Sequence, residues 1–318
     1  MKKASTRRNF LKKSVLTATS FYIGYNLFGN NYSSSEKQNY HKFNFGDFEC
    51  ICINDGGLKY ELYKFFKNVS EEKVKSELKK QNLPLEYVYT PYTHLVVNTG
   101  KNLVLVDMGA GNKIPNCNGT LPQTIKASGI NPSDIDHVFI THAHPDHIGG
   151  TLNEKGNPNY PNASYFIWKD EWDFWFSESA YEKTNEFFIN TAREQLTPVK
   201  NKINLVSVET EILPGISIIP APGHTPGHSI IRFESNGEKL YYVGDTVLYP
   251  LHLEHPDWLP IYDILPEVAA KTKKAIFDRV SSEKALVIGQ HFPPFPSTGY
   301  VRKMRKGWKW EPDRPENV

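Results

Sequence analysis

Four residues able to ligate a divalent cation fall within six consecutive positions: His142, His144, Asp146 and His147, in the run THAHPDHIGG from Thr141 to Gly150. Neutral imidazole and carboxylate are ligand types for zinc, with iron and manganese also tolerated. His142 and His144 flank Ala143, so on a chain leaving a strand both rings can face one point. Asp146 and His147 follow where the chain turns into a helix, and can face a second point. Pro145 restricts that turn, and Gly149-Gly150 lets the backbone pass close to the site. A lone histidine is more often structural. This density, with distant partners, points to metal binding and activation of water.

The distant partners share one place in the chain pattern. Asp107 ends the apolar run NLVLV, and His142 follows HVFI and Thr141. His224 follows SIIPAPG in a Pro/Gly-rich turn, Asp245 ends LYYVG, and His291 ends ALVIGQ. All stand at the carboxyl ends of predicted strands, the edge where sites assemble in layered α/β proteins. Short apolar runs alternate with helical stretches, which gives an α/β fold without internal repeats. FECICIND (48–55) reads as a strand ending at the turn residues Asp55-Gly56-Gly57, and Ser70 caps a helix through about Gln81. HLVVNTG and NLVLVDMGAG form a hairpin, and LPQTIKASGI is helical. ASYFIWKDEWDFWF (163–176) gives a short strand and an aromatic helix, and a longer helix is expected over Tyr181 to Glu194. ISIIPAPGHTPGHSIIRFE, KLYYVGD and KALVIGQH are three more strand regions, the last two separated by a helix from about Pro266 to Val280. The tail from Arg302 is basic and aromatic and carries no assigned element.

The N-terminus reads differently. MKKASTRRNFLKK holds six basic residues and no acidic one. It precedes Ser14 to Phe28, which is short for a bilayer span and interrupted by polar residues. Thr6-Arg7-Arg8-Asn9-Phe10-Leu11-Lys12 resembles the twin-arginine export consensus. Residues 1–36 are therefore expected to be an export signal and linker, cleaved around 29–36, and residues 37–318 a single domain with a C-terminal tail. The expected partner is the twin-arginine export machinery, and the expected location periplasmic or extracellular. That route carries folded proteins, which suits a chain that takes up metal as it folds. Whole-chain formal charge is +2, but the six basic residues of the signal leave −4 for the remainder, so the basic balance lends no support to nucleic-acid binding. Cys50, Cys52 and Cys117 are an odd set. Buried small hydrophobes are the expected role, a Cys50–Cys52 or Cys52–Cys117 bridge the alternative.

At this point the sequence resembles the metallo-β-lactamase fold superfamily over about residues 45–302. HAHPDH matches its His-x-His-x-Asp-His signature, LVDMGAG its Asp-x-Gly strand motif and PGHTPGH its second histidine motif. GD matches its bridging carboxylate and QH its final histidine. The resemblance implies a four-layer αββα sandwich holding two divalent cations, zinc first with iron or manganese as alternatives. By position, His142, His144 and His224 would hold one metal, and Asp146, His147 and His291 the other, with Asp245 bridging. Asp107 would orient the metal-binding loop from behind, and His228 would fix the turn after His224. Two cations roughly 3.5–4 Å apart generate hydroxide near neutrality for attack on a carbonyl or phosphoryl centre. Asp146 or Asp245 would relay a proton to the leaving group.

Departures from the family's branches narrow the substrate. True β-lactamases of the fold lack the bridging carboxylate that Asp245 supplies. Oxygen-reducing diiron relatives carry an acidic residue in place of His144 and a flavin domain. Glyoxalase-type thioesterases act on a cytosolic substrate, and the nuclease branches suit an acidic chain poorly. GDTVLYPLHLEHPDWLP, ALVIGQHFPPFPSTGYV and YPNASYFIWKDEWDFW resemble the exported lactonase and organophosphate-hydrolase-like group. By that likeness Trp168, Trp172 and Trp175 are candidates to wall the substrate; the alternative is packing in the core or at a homodimer interface. Quorum-signal lactonases place a Tyr three residues beyond the bridging Asp. Here that position is Leu248, with Tyr249 next to it as the candidate contact. A small-molecule lactone or ester of acyl-homoserine lactone type is favoured, aryl phosphotriester hydrolysis is the second reading, and a non-hydrolytic metal protein on the same scaffold the third.

Overall fold

The computed structural model describes residues 39–117 and 119–313. The twin-arginine motif and the expected signal, residues 1–36, lie outside them. The unit Asn39–Pro312 is built on two sheets whose strands lie in chain order. The first holds β1 (Tyr40–Phe45), β2 (Phe48–Glu61), β3 (Tyr87–Asn98), β4 (Leu103–Val106), β5 (His137–Ile140), β6 (Ser164–Trp168) and β7 (Ile203–Val206). The second holds β8 (Thr210–Leu213), β9 (Ile216–Pro220), β10 (Ser229–Ser235), β11 (Glu238–Tyr242), β12 (Leu286–Ile288), β13 (Thr298–Lys303) and β14 (Trp308–Pro312). β1 to β4 run antiparallel and β4 to β7 parallel. In the second sheet only β11 and β12 pair in parallel.

Strand periodicity sorts the core into layers. On β2, Cys50 and Cys52 face the other sheet, while Ile51 and Ile53 face outward. β4 divides the same way, with Val104 and Val106 inward and Leu103 and Leu105 outward. Phe139 of β5 meets Ile218, Ile231 and Tyr242 of the second sheet in the inner layer. The outward face of the first sheet is covered by the helices Leu121–Ala127, Lys169–Phe176 and Glu186–Leu196. The helix Pro266–Glu283 covers the second sheet through Ile276, Phe277 and Val280. Helix, sheet, sheet, helix: this is the four-layer αββα sandwich. Both faces of each sheet being buried, β4 and β5 read as continuous apolar runs rather than alternating ones.

Several expectations need correction. β2 does not stop at Asp55-Gly56-Gly57. It continues to Glu61 through an irregularity between Asn54 and Gly57, since Gly57 leaves room for the Thr90 carbonyl of β3. The helix expected from Tyr181 begins at Glu186, where Asn185 accepts from the Phe187 amide, and Glu178–Glu182 is a short 3-10 turn instead. The basic tail from Arg302 completes β13 and forms β14 at the edge of the second sheet, with Trp308 and Trp310 buried in a cluster with Phe277 and Phe292. All three thiols are free and buried, so neither disulfide forms.

Candidate metal centre

The parallel pairs β4–β5 and β11–β12 end side by side, and β9 runs in the same sense as β11. The segments carrying Asp107, His142, His224, Asp245 and His291 therefore leave the sandwich at one edge. The seven expected ligands converge there in two groups. Donor atoms of His142, His144, His224 and Asp245 lie within 4.8 Å of one another, as do those of Asp146, His147, Asp245 and His291.

Asp245 belongs to both groups and divides its oxygens between them. Oδ2 is 3.7 Å from His142 Nε2 and 3.2 Å from His224 Nε2. Oδ1 is 3.3 Å from His147 Nε2 and 3.2 Å from His291 Nε2. Asp146 Oδ2 closes the second group at 3.4 Å from His291 Nε2. His142 Nε2, His147 Nε2 and Asp245 Oδ1 are buried atoms without a hydrogen-bond partner. Orphaned buried polar atoms are costly, and a divalent cation in each group is the partner their donor chemistry fits.

Tautomers are set from behind. His147 Nδ1–H donates to Asp107 Oδ2 at 2.7 Å, His224 Nδ1–H to Asp263 Oδ1 at 3.0 Å, and His291 Nδ1–H to the Pro91 carbonyl at 3.2 Å. Each of these bonds turns a neutral Nε2 lone pair inward. Asp107, at φ 57°, also accepts the Thr141 amide and hydroxyl at 2.8 Å each, which fixes the start of the ligand loop. His228 bonds the Ala221 carbonyl at 3.1 Å and accepts the Asp245 amide at 3.0 Å, joining the His224 turn to the bridging residue.

Glu171 and Asp263 were not legible from local pattern. Fully buried Glu171 accepts the Ala143 amide at 2.9 Å and the Trp175 indole at 2.6 Å on Oε1. Its Oε2 accepts the Thr225 hydroxyl at 2.5 Å and the Gly227 amide at 3.1 Å. One carboxylate thereby ties the His142–His144 loop to the His224 turn. Burial raises its pKa against the pull of these four donors.

A cavity of about 190 Å³ opens on His144, Asp146, His224, Asp245 and His291. The rest of its lining is largely apolar and aromatic, including Leu58, Tyr60, Phe65, Phe188, Leu248 and Tyr262. A second cavity of about 390 Å³ shares Phe188 and Tyr262 with it and adds Lys183, Asn185 and Ile261.

Residues 88–291 match the profile of the Metallo-beta-lactamase superfamily. The chain belongs to the metallo-β-lactamase superfamily. The N-acyl homoserine lactonase of Bacillus thuringiensis is 25% identical over 169 residues, 52% of this chain and 60% of that protein. N-acyl homoserine lactonase AttM of Agrobacterium fabrum is 27% identical over 117 residues, 33% of this chain and 38% of that one. Among solved structures, AidC, a dizinc quorum-quenching lactonase in complex with a product, superposes with TM-score 0.83 at 28% identity, covering 88% of this chain and 99% of AidC. The hydrolase AbOPH superposes with TM-score 0.83 at 27% identity, covering 89% and 100%.

Within this superfamily fold the expected aromatic wall lies elsewhere. Trp168 packs between the sheets, Trp175 is fully buried beside His144, and Trp172 stacks on Phe176 at 4.0 Å. None of the three lines either cavity. Tyr249 is buried against Phe65 and Phe66, and Leu248 faces the cavity in its place. The wall is drawn instead from β2, the segments after it, and the start of the helix Glu186–Leu196.

Charge compensation in the centre gives a measurable pH dependence. Burial alone would lower the pKa values of His147, His224 and His291, but the Asp245 carboxylate and its neighbours outweigh it. Without bound cations His224 and His291 rise to about 9 and His147 well above its usual value. Below those values each carries a proton that a cation must displace. Zinc titration at pH 7.5 in buffers of different ionisation enthalpy should show net proton release, with affinity rising as pH climbs toward 9; a pH-independent affinity contradicts this charge state. Glu171→Ala leaves four donors unpaired and should destabilise the fold by at least ~3 kcal/mol in urea unfolding. It should also weaken metal uptake, whereas an unchanged midpoint and metal content would show that Glu171 braces nothing.

Proposed function

We propose that this metallo-hydrolase is dinuclear and opens a lactone or ester, an acyl-homoserine lactone-like substrate being favoured. The observation that carries the reading is Asp245, with one carboxylate oxygen toward each donor group, in the lining of a cavity that is otherwise largely apolar. His142, His144 and His224 would hold one cation and Asp146, His147 and His291 the other, zinc being the proposed metal. When bound, the pair supplies Lewis acidity and an activated water at neutral pH. Asp146 lines the cavity and has a carboxylate oxygen besides the Oδ2 turned to its donor group, so it can take up a proton and return it to the leaving oxygen, while Asp245 keeps both oxygens toward the donor groups. Leu58, Phe65, Phe188 and Leu248 offer an acyl chain a dry surface, and the cavity beyond Phe188 and Tyr262 gives it room to continue. The likeness to lactonases in sequence and in fold supports the same class.

The aromatic share of the wall, Tyr60, Phe65, Phe188 and Tyr262, favours one second reading, hydrolysis of an aryl phosphotriester. Four substrates separate the readings when assayed beside metal analysis: a long-chain acyl-homoserine lactone, a p-nitrophenyl phosphotriester, p-nitrophenyl acetate and a chromogenic β-lactam. The lactone is expected to give the highest kcat/KM and the β-lactam none, with nearly all activity lost in His142→Ala, His144→Ala and His291→Ala. A dominant phosphotriesterase would replace the first reading with the second. Inactivity on all four with two metals bound would leave a non-hydrolytic metal protein.

We also propose export through the twin-arginine route, on the strength of Arg7-Arg8 and the apolar stretch after them. Residues 1–36 fused to a folded reporter should carry it out of the cytoplasm, and Arg7→Lys with Arg8→Lys should retain it. Export unaffected by that pair would refute the route.

A further inference from the structure

Two phenols at the cavity edge share one hydrogen bond, and counting their protons gives it a direction. Tyr60 and Tyr92 hydroxyls lie 2.5 Å apart. Tyr92 is fully buried, its ring edge-on to His291 with centroids 5.3 Å apart, and it packs against Ala110 and Cys117. Among the described residues its hydroxyl has no partner except Tyr60. Tyr60 is half-buried and lines the cavity that contains Asp146, Asp245 and His291.

Two hydroxyls carry two protons, and the bond between them uses one. If Tyr60 donated, the proton of Tyr92 would be stranded in an apolar cluster. Buried donors are rarely left so. Tyr92 therefore donates, Tyr60 accepts, and the proton of Tyr60 is left to point into the cavity. A hydroxyl that donates while already accepting is also polarised toward donation.

We propose that Tyr60 is a substrate-binding donor, its hydroxyl held by Tyr92 and directed at the substrate oxygen that gains negative charge. This rests on the hydrolytic reading above but not on the choice of substrate, because that oxygen exists on a lactone, an ester and a phosphotriester alike. Burial and the Asp146 carboxylate keep the Tyr60 phenol well above its usual pKa, so it stays protonated through the working pH range. Tyr92 touches no substrate; it is a positioning residue acting through Tyr60. Preorganised donors of this kind lose little on reorganisation as charge develops.

A double-mutant cycle tests the proposal. Tyr60→Phe keeps the ring and should lower kcat about 10²-fold, with metal content unchanged and a thermal midpoint lowered by the Tyr92 hydroxyl it leaves unpaired. Tyr92→Phe should cost about tenfold, and the double variant should be no slower than Tyr60→Phe alone, since the two act through one hydroxyl. Inorganic phosphate binding to the metal-loaded protein gives a readout without turnover, expected to weaken about tenfold in Tyr60→Phe. A kcat within twofold of the parent, additive losses in the double variant, or unchanged phosphate affinity would overturn the assignment. Wild-type inactivity on all four substrates would defeat the hydrolytic reading instead, and the phosphate titration would then decide the role of Tyr60 on its own.

Discussion

A single buried carboxylate sets the spacing of the centre. Asp245 cannot sit among four imidazoles without opposite charge nearby, because an uncompensated ion at that depth is costly. Its two oxygens face different pairs of histidines, so whatever compensates it must do so on both sides. The raised pKa values of His147, His224 and His291 are the response to that carboxylate, and a divalent cation in each donor group would compensate it on both sides. The same carboxylate thus explains the raised histidine pKa values, the orphaned ring nitrogens and the pairing of the two donor groups.

The remaining structure keeps that arrangement from collapsing. Parallel strands deliver the ligand segments to one edge, as the fold's topology requires, but strand ends alone do not aim side chains. Aim comes from acceptors behind the rings, Asp107, Asp263 and the Pro91 carbonyl, and from Glu171 bracing two ligand loops that lie far apart in sequence. Three of these four are carboxylates held by several donors or facing an imidazole, which is how a low-dielectric interior tolerates them. The glycines of the ligand loop serve close packing: a Cβ on Gly149 would meet the Ala110 and Pro145 carbonyls.

Much of this was written in local pattern, and the rest was not for identifiable reasons. The residues that converge were legible because HAHPDH compresses four of them into six positions and the others each follow an apolar run. Layering was legible from the continuous apolar runs of β4 and β5. The bracing residues were not: Glu171 stands in an acidic, aromatic helix where a glutamate reads as surface, and Asp263 stands alone between Tyr262 and Ile264. Their partners are distant in sequence, and local pattern does not reveal such pairs. Trp168 and Trp175 pack in the core, the alternative the sequence left open, because large aromatic rings fill a core as readily as they wall a substrate. β13 and β14 were missed because lysine and arginine on their exposed faces mask the alternation that buries Trp308 and Trp310.

An anomalous-difference map from crystals of the metal-loaded protein tests the central claim most directly. Two peaks per chain are expected, roughly 3.5–4 Å apart, one on each side of the Asp245 carboxylate, ringed by His142, His144 and His224 on one side and by Asp146, His147 and His291 on the other. A single peak, or two peaks that do not share Asp245, would contradict it.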